Sequence, residues 1–458
     1  MLITIAIVFF IVMMVLLVNW RWGIYLIILA GFIQDPVRKI MPDQPVYFSV
    51  IVIIVFSICL GLSFAINNNW RIRHITLENP KLEFCLLLYL SYILFSSVFS
   101  FFSYGNILVA LLGISIYFSP LFSALYANMV FDKYQHISNF VSFYLVCITV
   151  TIISIWLSVF GYDLKIFEEI GGGIDIYEHS IRNYLQAHAG ILRTSELAAW
   201  HLATGACFSL ILAIQSRSLF TKVIFTLLTV LCLLTGIFTG RRKMYALFAI
   251  FCLTLLLIVV YEAKGKQKSF VFLAICLLIV IVVSLYFTFQ QQILVLSFAS
   301  DYLSRAFTLL GDAFDRLILT VNAFEYTIQR MSIIGTGIGS TGQGLVGYEQ
   351  IGSNWNAETG LGRLGNELGF IGFIILLAMV IIIIGHIITT NRIIQEHDER
   401  LSFFQRALVA FLFANTINYF NAAQAYNDLF VLMILGLTLG CILDLPKIFY
   451  YSLSSRQI

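Results

Sequence analysis

Uncharged apolar runs at residues 46–66, 82–101 and 106–130 set the pattern of the chain. At about 1.5 Å of rise per residue, each is long enough as a helix to cross a hydrocarbon core about 30 Å thick. The same reading predicts spans near 2–19, 46–66, 82–101, 106–130, 137–160, 190–214, 220–238, 244–261, 269–289, 369–390, 405–422 and 428–444. A shorter run at 22–33 would cover about half a bilayer as a broken or shallow segment. The pattern predicts an all-α, polytopic transmembrane helical bundle of about twelve spans. The alternating strands of a β-barrel and the polar faces of a soluble domain are both missing. Neither spans nor loops repeat, which lowers the expectation of a secondary transporter.

Three regions follow. Residues 1–289 hold helices with short loops and one acidic loop at 161–189, residues 290–368 form a large loop, and residues 369–458 hold the last helices. Within the large loop, apolar residues recur at intervals of four and three from Leu303 to Ile328. That stripe predicts a helix lying on the bundle or in the membrane interface. Its polar side pairs Asp301 with Arg305 and Asp312 with Arg316 at i,i+4 spacing, either as ordinary helix ion pairs or as holders of arginine forks at an anion cleft.

Composition narrows the function classes. A net charge of +3, with cations scattered in short loops, gives no footprint for nucleic acid. The first apolar run lacks a basic flank and a small-residue cleavage site, so it reads as a retained span. All eight cysteines lie inside apolar runs without a CxxC and read as core filler, leaving no expected metal ligands.

Loop charge sets the expected orientation. The connections at 67–81 and 262–268 and the C-terminal tail carry the excess of Lys and Arg, which places them in the cytoplasm by the positive-inside rule. The acidic loops at 161–189 and 290–368 then face outward. Alternation puts the segment TGRRKMYA, with Arg241, Arg242 and Lys243, at the outer end of a span, against the usual charge bias. Either the cations snorkel at a helix end, with the span count open to an error of one, or they form an anion site.

Other ionisable residues converge on that side. The stretch SNWNAETGLGRLGNELGFIGF puts Glu358, Arg363 and Glu367 just before the run at 369, as a solvated helix start or as a half-buried base with its partners. Arg193 and Glu196, three apart, read as a self-neutralising pair or as additions to the site, and His201 reads as hydrogen-bonded structure. GIGSTG at 337–342 matches a dinucleotide-loop pattern without the strand that pattern needs. Its glycines suit a tight turn, or backbone amides brought close to a phosphate or sugar.

In order, TGRRK, DRLILTVNAFEY, IIGTGIGS and ETGLGRLGNELGFIGF resemble the signature of the O-antigen ligase and Wzy-type polysaccharide polymerase superfamily, and QDPVRKIMPDQPVYF at 34–48 resembles an early loop of exopolysaccharide-polymerase-like members. The resemblance covers the latter half of the chain plus that loop. It implies a metal-independent, cofactor-free membrane glycosyltransferase acting on polyprenyl-pyrophosphate-linked glycans, with membrane lipid, a flippase and a chain-length regulator as partners. The family's helix-end arginine falls on Arg242 and its loop arginine on Arg316, with Arg305 as the fallback. Glu-Leu-Gly falls on Glu367, Leu368 and Gly369, and Glu358 stands where ligases carry a catalytic His. These matches imply Arg242 and Arg316 on the departing pyrophosphate, Arg241, Arg305 and Arg363 as lesser partners, and Glu358 as general base. Arg193, Glu367 and the turn glycines Gly335, Gly337 and Gly339 are the remaining expected substrate contacts. The missing His leans toward polymerase over ligase. A transporter or channel, the competing class, predicts ionisable residues near mid-span, and the runs at 46–66, 106–130, 137–160 and 269–289 have none. A structural subunit of a glycan-export complex would leave the loop charges without catalytic duty.

Overall fold

The structure is a computed structural model, and it describes residues 14–45, 48, 51–66, 79–170, 175–178, 183–262, 318, 320–322, 324–325, 327–329, 331–341 and 359–454. Eleven α-helices are described: α1 Gly23–Ile40, α2 Ile51–Ile66, α3 Pro80–Tyr104, α4 Ile107–Val130, α5 Tyr134–Val159, α6 Ser195–Gln215, α7 Leu219–Ile237, α8 Lys243–Glu262, α9 Gly360–His397, α10 Glu399–Asn421 and α11 Leu429–Ser454. Eight of them, α3 to α9 and α11, are long and apolar enough to cross a membrane. The chain is a multi-pass helical membrane protein. Most of the span expected at 2–19, and all of that at 269–289, lie outside the described residues.

Helix ends fall where side chains cap them. Asn106 Oδ1 accepts from Leu108 N (2.9 Å) to start α4, directly after Gly105 closes α3 at φ +63°. Asp398 starts α10 the same way through Leu401 N (3.0 Å), and Asp428 starts α11 through Phe430 N (2.8 Å) and Val431 N (3.1 Å). α6 and α11 are buried along most of their length, whereas α7, α8 and α9 face largely outward. α11 lies close along α4 because Gly436 and Gly440 sit against Pro120, Ala124 and Ala127, where any side chain would strike backbone.

Two elements depart from the expected pattern. The run at 22–33 is neither broken nor short: α1 continues through Pro36 to Ile40 and takes in the first part of the expected loop at 34–48. It is about 27 Å long, and Asp35 and Lys39 of its last turns are buried with partners from the 190–193 segment. Within the acidic loop, β1 (Asp175–Glu178) and β2 (Asn183–Gln186) pair antiparallel, Asp175 opposite Gln186 and Glu178 opposite Asn183, a short hairpin in an otherwise helical fold. The isoleucine and tyrosines of those strands favour extended backbone.

α9 begins at Gly360, nine residues before the apolar run, and breaks at Gly369, whose φ of +62° and ψ of −172° are not helical. A strap of residues 332–336 fills the break. Phe370 N and Ile371 N donate to Ser332 O (3.0 Å) and Ile333 O (3.2 Å), and Thr336 N donates to Asn366 O (2.7 Å). Tyr92 of α3 donates to both Ile334 O and Leu368 O. The backbone groups freed by the break thus find partners away from water, as a membrane requires. The described residues between 318 and 329 are helical, and Thr327 packs over Gly365. At this end Thr327 is buried, whereas the described residues of the expected apolar stripe, Val321, Phe324 and Ile328, are exposed.

Candidate functional site

Connections at 160–194, 238–242, 331–341 and 422–428 meet at one end of the bundle. His188 N donates to Phe238 O (3.1 Å), and the contacts below join the rest. The opposite end holds the starts of α5 and α10, where Tyr134 donates to Gln215 and Gln215 Nε2 to Arg400 O (3.1 Å).

The seven residues between α10 and α11, AAQAYND, gather cations from three separate elements. Gln424 Oε1 accepts from Lys243 Nζ (2.9 Å), Asn427 Oδ1 accepts from Arg363 Nη1, and Asp428 Oδ2 pairs with Arg193 Nη2 (2.6 Å). Asp428 therefore holds an arginine with one oxygen and caps α11 with the other. Arg193 precedes α6 and does not neutralise Glu196 as its spacing allowed. Glu196 instead pairs with Lys243 Nζ (2.9 Å) and Arg241 Nη1 (3.6 Å). Arg241 Nε also donates to Ser195 Oγ (3.0 Å). Arg242 sits half-buried in the same turn, which Gly240 closes at φ +63°.

Beneath Arg193 lies a layer contributed by α1. Asp35 Oδ2 accepts from Arg193 N (3.0 Å), and the buried Lys39 Nζ donates to Gly190 O (2.8 Å) and Leu192 O (2.6 Å). Glu169 closes the layer by accepting from Ser195 N at the start of α6. Burial holds the Glu169 carboxyl above the usual range, against the pull of Ser195, Arg241 and Lys39. Burial would lower Arg193, but Asp428 and Asp35 outweigh it and fix the guanidinium as charged.

Burial also pushes the Asp35 carboxyl up from 3.8 to about 6. The folded protein holds that proton more tightly than the unfolded chain, so Asp35 favours folding below about pH 4 and loses that contribution as pH rises through about 6. Asp35→Asn is expected to flatten the dependence of melting temperature on pH across this window. An unchanged slope in thermal unfolding would put the titration elsewhere.

Arg363 and Glu367, expected at a helix mouth as solvated or half-buried groups, are 2% and 0% exposed. Glu367 accepts from Arg363 Nε (3.3 Å), Tyr117 Oη (2.7 Å), Thr341 N (3.1 Å) and Thr341 Oγ1 (2.5 Å). The pair thus ties α9 to α4 and to the glycine turn. Gly335, Gly337 and Gly339 do adopt positive φ, at +88°, +93° and +82°. Their open faces meet protein, however: Gly335 lies against the Glu367 carbonyl, Gly337 against Ser100 and Gly339 against Val109 and Gly113. Packing, rather than an approaching ligand, accounts for these three glycines. His201 is buried, shares a hydrogen bond with Tyr144 (2.7 Å) and stacks between Phe32 and Phe430, as a structural histidine would.

Of the expected site residues, Arg193, Arg241, Arg242, Arg363 and Glu367 lie at this one end, while Arg305, Arg316 and Glu358 fall outside the described residues. Sequence reasoning passed over Asp35, Lys39, Glu169, Gln424, Asn427 and Asp428. The signal available for the last three was a polar cluster, NAAQAYND, between two apolar runs. Among the described residues no group of three or more His, Cys, Asp or Glu side chains could hold a metal ion. No family model matches the chain, and no curated protein matches it.

Proposed function

We propose that the chain is a membrane glycosyltransferase that polymerises polyprenyl-pyrophosphate-linked glycans at the outer face of the cytoplasmic membrane. One observation carries the reading. Arg241, Arg242 and Lys243 stand together at one end of an apolar bundle, and Arg241 and Lys243 share the single carboxylate of Glu196. A turn of three adjacent cations in a half-dry setting suits a departing pyrophosphate, whose oxygens arginine forks bind bidentately. Arg193 and Arg363 are gathered by the same AAQAYND segment, each already paired with a carboxylate of its own, Asp428 and Glu367. On this reading the bundle has about twelve spans and the charged end faces outward, consistent with the Lys-rich loops expected at the other end. Arg316 joins Arg242 on the pyrophosphate, and the partners are a lipid-linked glycan, a flippase and a chain-length regulator.

Arg242→Ala is expected to cut glycan transfer about 10²–10³-fold, the usual effect of removing one group that stabilises developing charge. Gel profiles of surface glycan in cells that depend on this protein read the effect, with membrane insertion checked in parallel. Full-length glycan from an inserted variant would overturn the pyrophosphate role. A single Cys at 242 in a Cys-free background should also react with an impermeant thiol reagent from outside; labelling from inside alone would reverse the topology.

A further inference from the structure

Five carboxylates stand within the polar layer at this end: Asp35, Glu169, Glu196, Glu367 and Asp428. Glu196 has both oxygens on cations, Asp428 divides its own between Arg193 and the α11 amides, and Glu367 accepts from four donors. Of these five, among the described residues, Asp35 and Glu169 each keep an oxygen without a donor, Oδ1 and Oε2 respectively. Asp35 is 1% exposed and sealed under the 190–193 segment. Glu169 is half-buried as a residue and follows directly on the exposed Glu168, with its Oε2 covered in this structure. Its other oxygen holds Ser195 N, and Ser195 Oγ receives Arg241 Nε, so Glu169 stands one residue from the cationic turn.

Resting on the glycosyltransferase reading, we infer that Glu169 is the proton acceptor for the attacking sugar hydroxyl, in place of Glu358. The acceptor oxygen forms the new bond to the anomeric carbon as the bond from that carbon to the pyrophosphate oxygen breaks. The electron pair leaves on the pyrophosphate, which the Arg241–Lys243 turn receives, and the hydroxyl proton passes to Glu169 Oε2. Burial holds the Glu169 carboxyl above the usual carboxylate range, as an acceptor requires.

Glu169→Gln keeps an oxygen for Ser195 N and removes the basicity, which separates catalysis from capping. The test uses full-length protein in liposomes with a polyprenyl-pyrophosphate-linked oligosaccharide as both donor and acceptor. Transfer by Glu169→Gln should fall about 10²–10⁴-fold in kcat, with the donor KM and melting temperature near wild type. The acid-side fall of the wild-type rate profile should vanish with it, and Glu169→Asp should restore part of the rate. A Glu169→Gln enzyme that keeps its rate and acid limb, or loses activity only together with thermal stability, overturns the assignment. So does loss of the acid limb in Glu358→Gln instead. No transfer by the wild-type protein would count against the glycosyltransferase reading itself, and the role of Glu169 would fall with it.

Discussion

Glu367→Leu should destabilise the protein by about 3–5 kcal/mol, because it strands the Arg363 guanidinium, buried and charged, without its partner. Three further donors lose their acceptor in the same step: Tyr117 Oη and both the N–H and the hydroxyl of Thr341. Arg363→Met should cost a similar amount by stranding the carboxylate. Combining the two changes should recover the part of the loss that comes from a stranded charge, while Tyr117 and Thr341 stay without their acceptor, so the double variant should lose less than the sum of the two single variants. Denaturant unfolding of the four proteins in detergent gives the coupling between the two positions directly. Additive losses in the double variant would mean that the two side chains do not act as a pair.

Gly369→Ala should be comparably severe, for a backbone reason. The φ and ψ at Gly369 lie where glycine alone is at ease, and an added Cβ would stand 2.2 Å from Gly335 N and 2.5 Å from Ile334 C. Both contacts are to main chain that is itself hydrogen-bonded into the break, so relief means pulling the strap out of α9. Strain and overpacking together exceed about 3 kcal/mol. Gly335→Ala meets the same junction from the other side, with its Cβ 2.3 Å from Glu367 O. Gly385, farther along the same helix, has open space around it, and its change to Ala should be neutral or stabilising by up to about 1 kcal/mol. Melting temperatures of these variants decide the matter; equal behaviour of Gly369→Ala and Gly385→Ala would show that the break tolerates a side chain.

What the amino-acid order revealed depended on how local the cause was. The run at 106–130 became α4 within a residue, because Asn106 caps it and the FDK sequence ends it. The run at 220–238 became α7 as closely. α1 was misjudged because its continuation depends on Asp35 and Lys39 reaching the 190–193 segment, more than 150 residues away. The same holds for the site. That Arg241, Arg242 and Lys243 share one helix end was legible, since three adjacent cations are unusual in an apolar chain. That Lys243 meets Gln424 or that Arg193 meets Asp428 was not, because no spacing rule joins residues that only tertiary packing brings together. For Arg363 and Glu367, the i,i+4 spacing was visible, whereas their burial required knowing that α4 and the turn at 338–341 cover them.

The AAQAYND connection has a mechanical consequence. Its two ends are fixed to α10 and α11, and three of its polar side chains, Gln424, Asn427 and Asp428, grip cations borne by the approach to α6, the start of α8 and the broken head of α9. A tilt of α10 against α11 is therefore geared to all three at once.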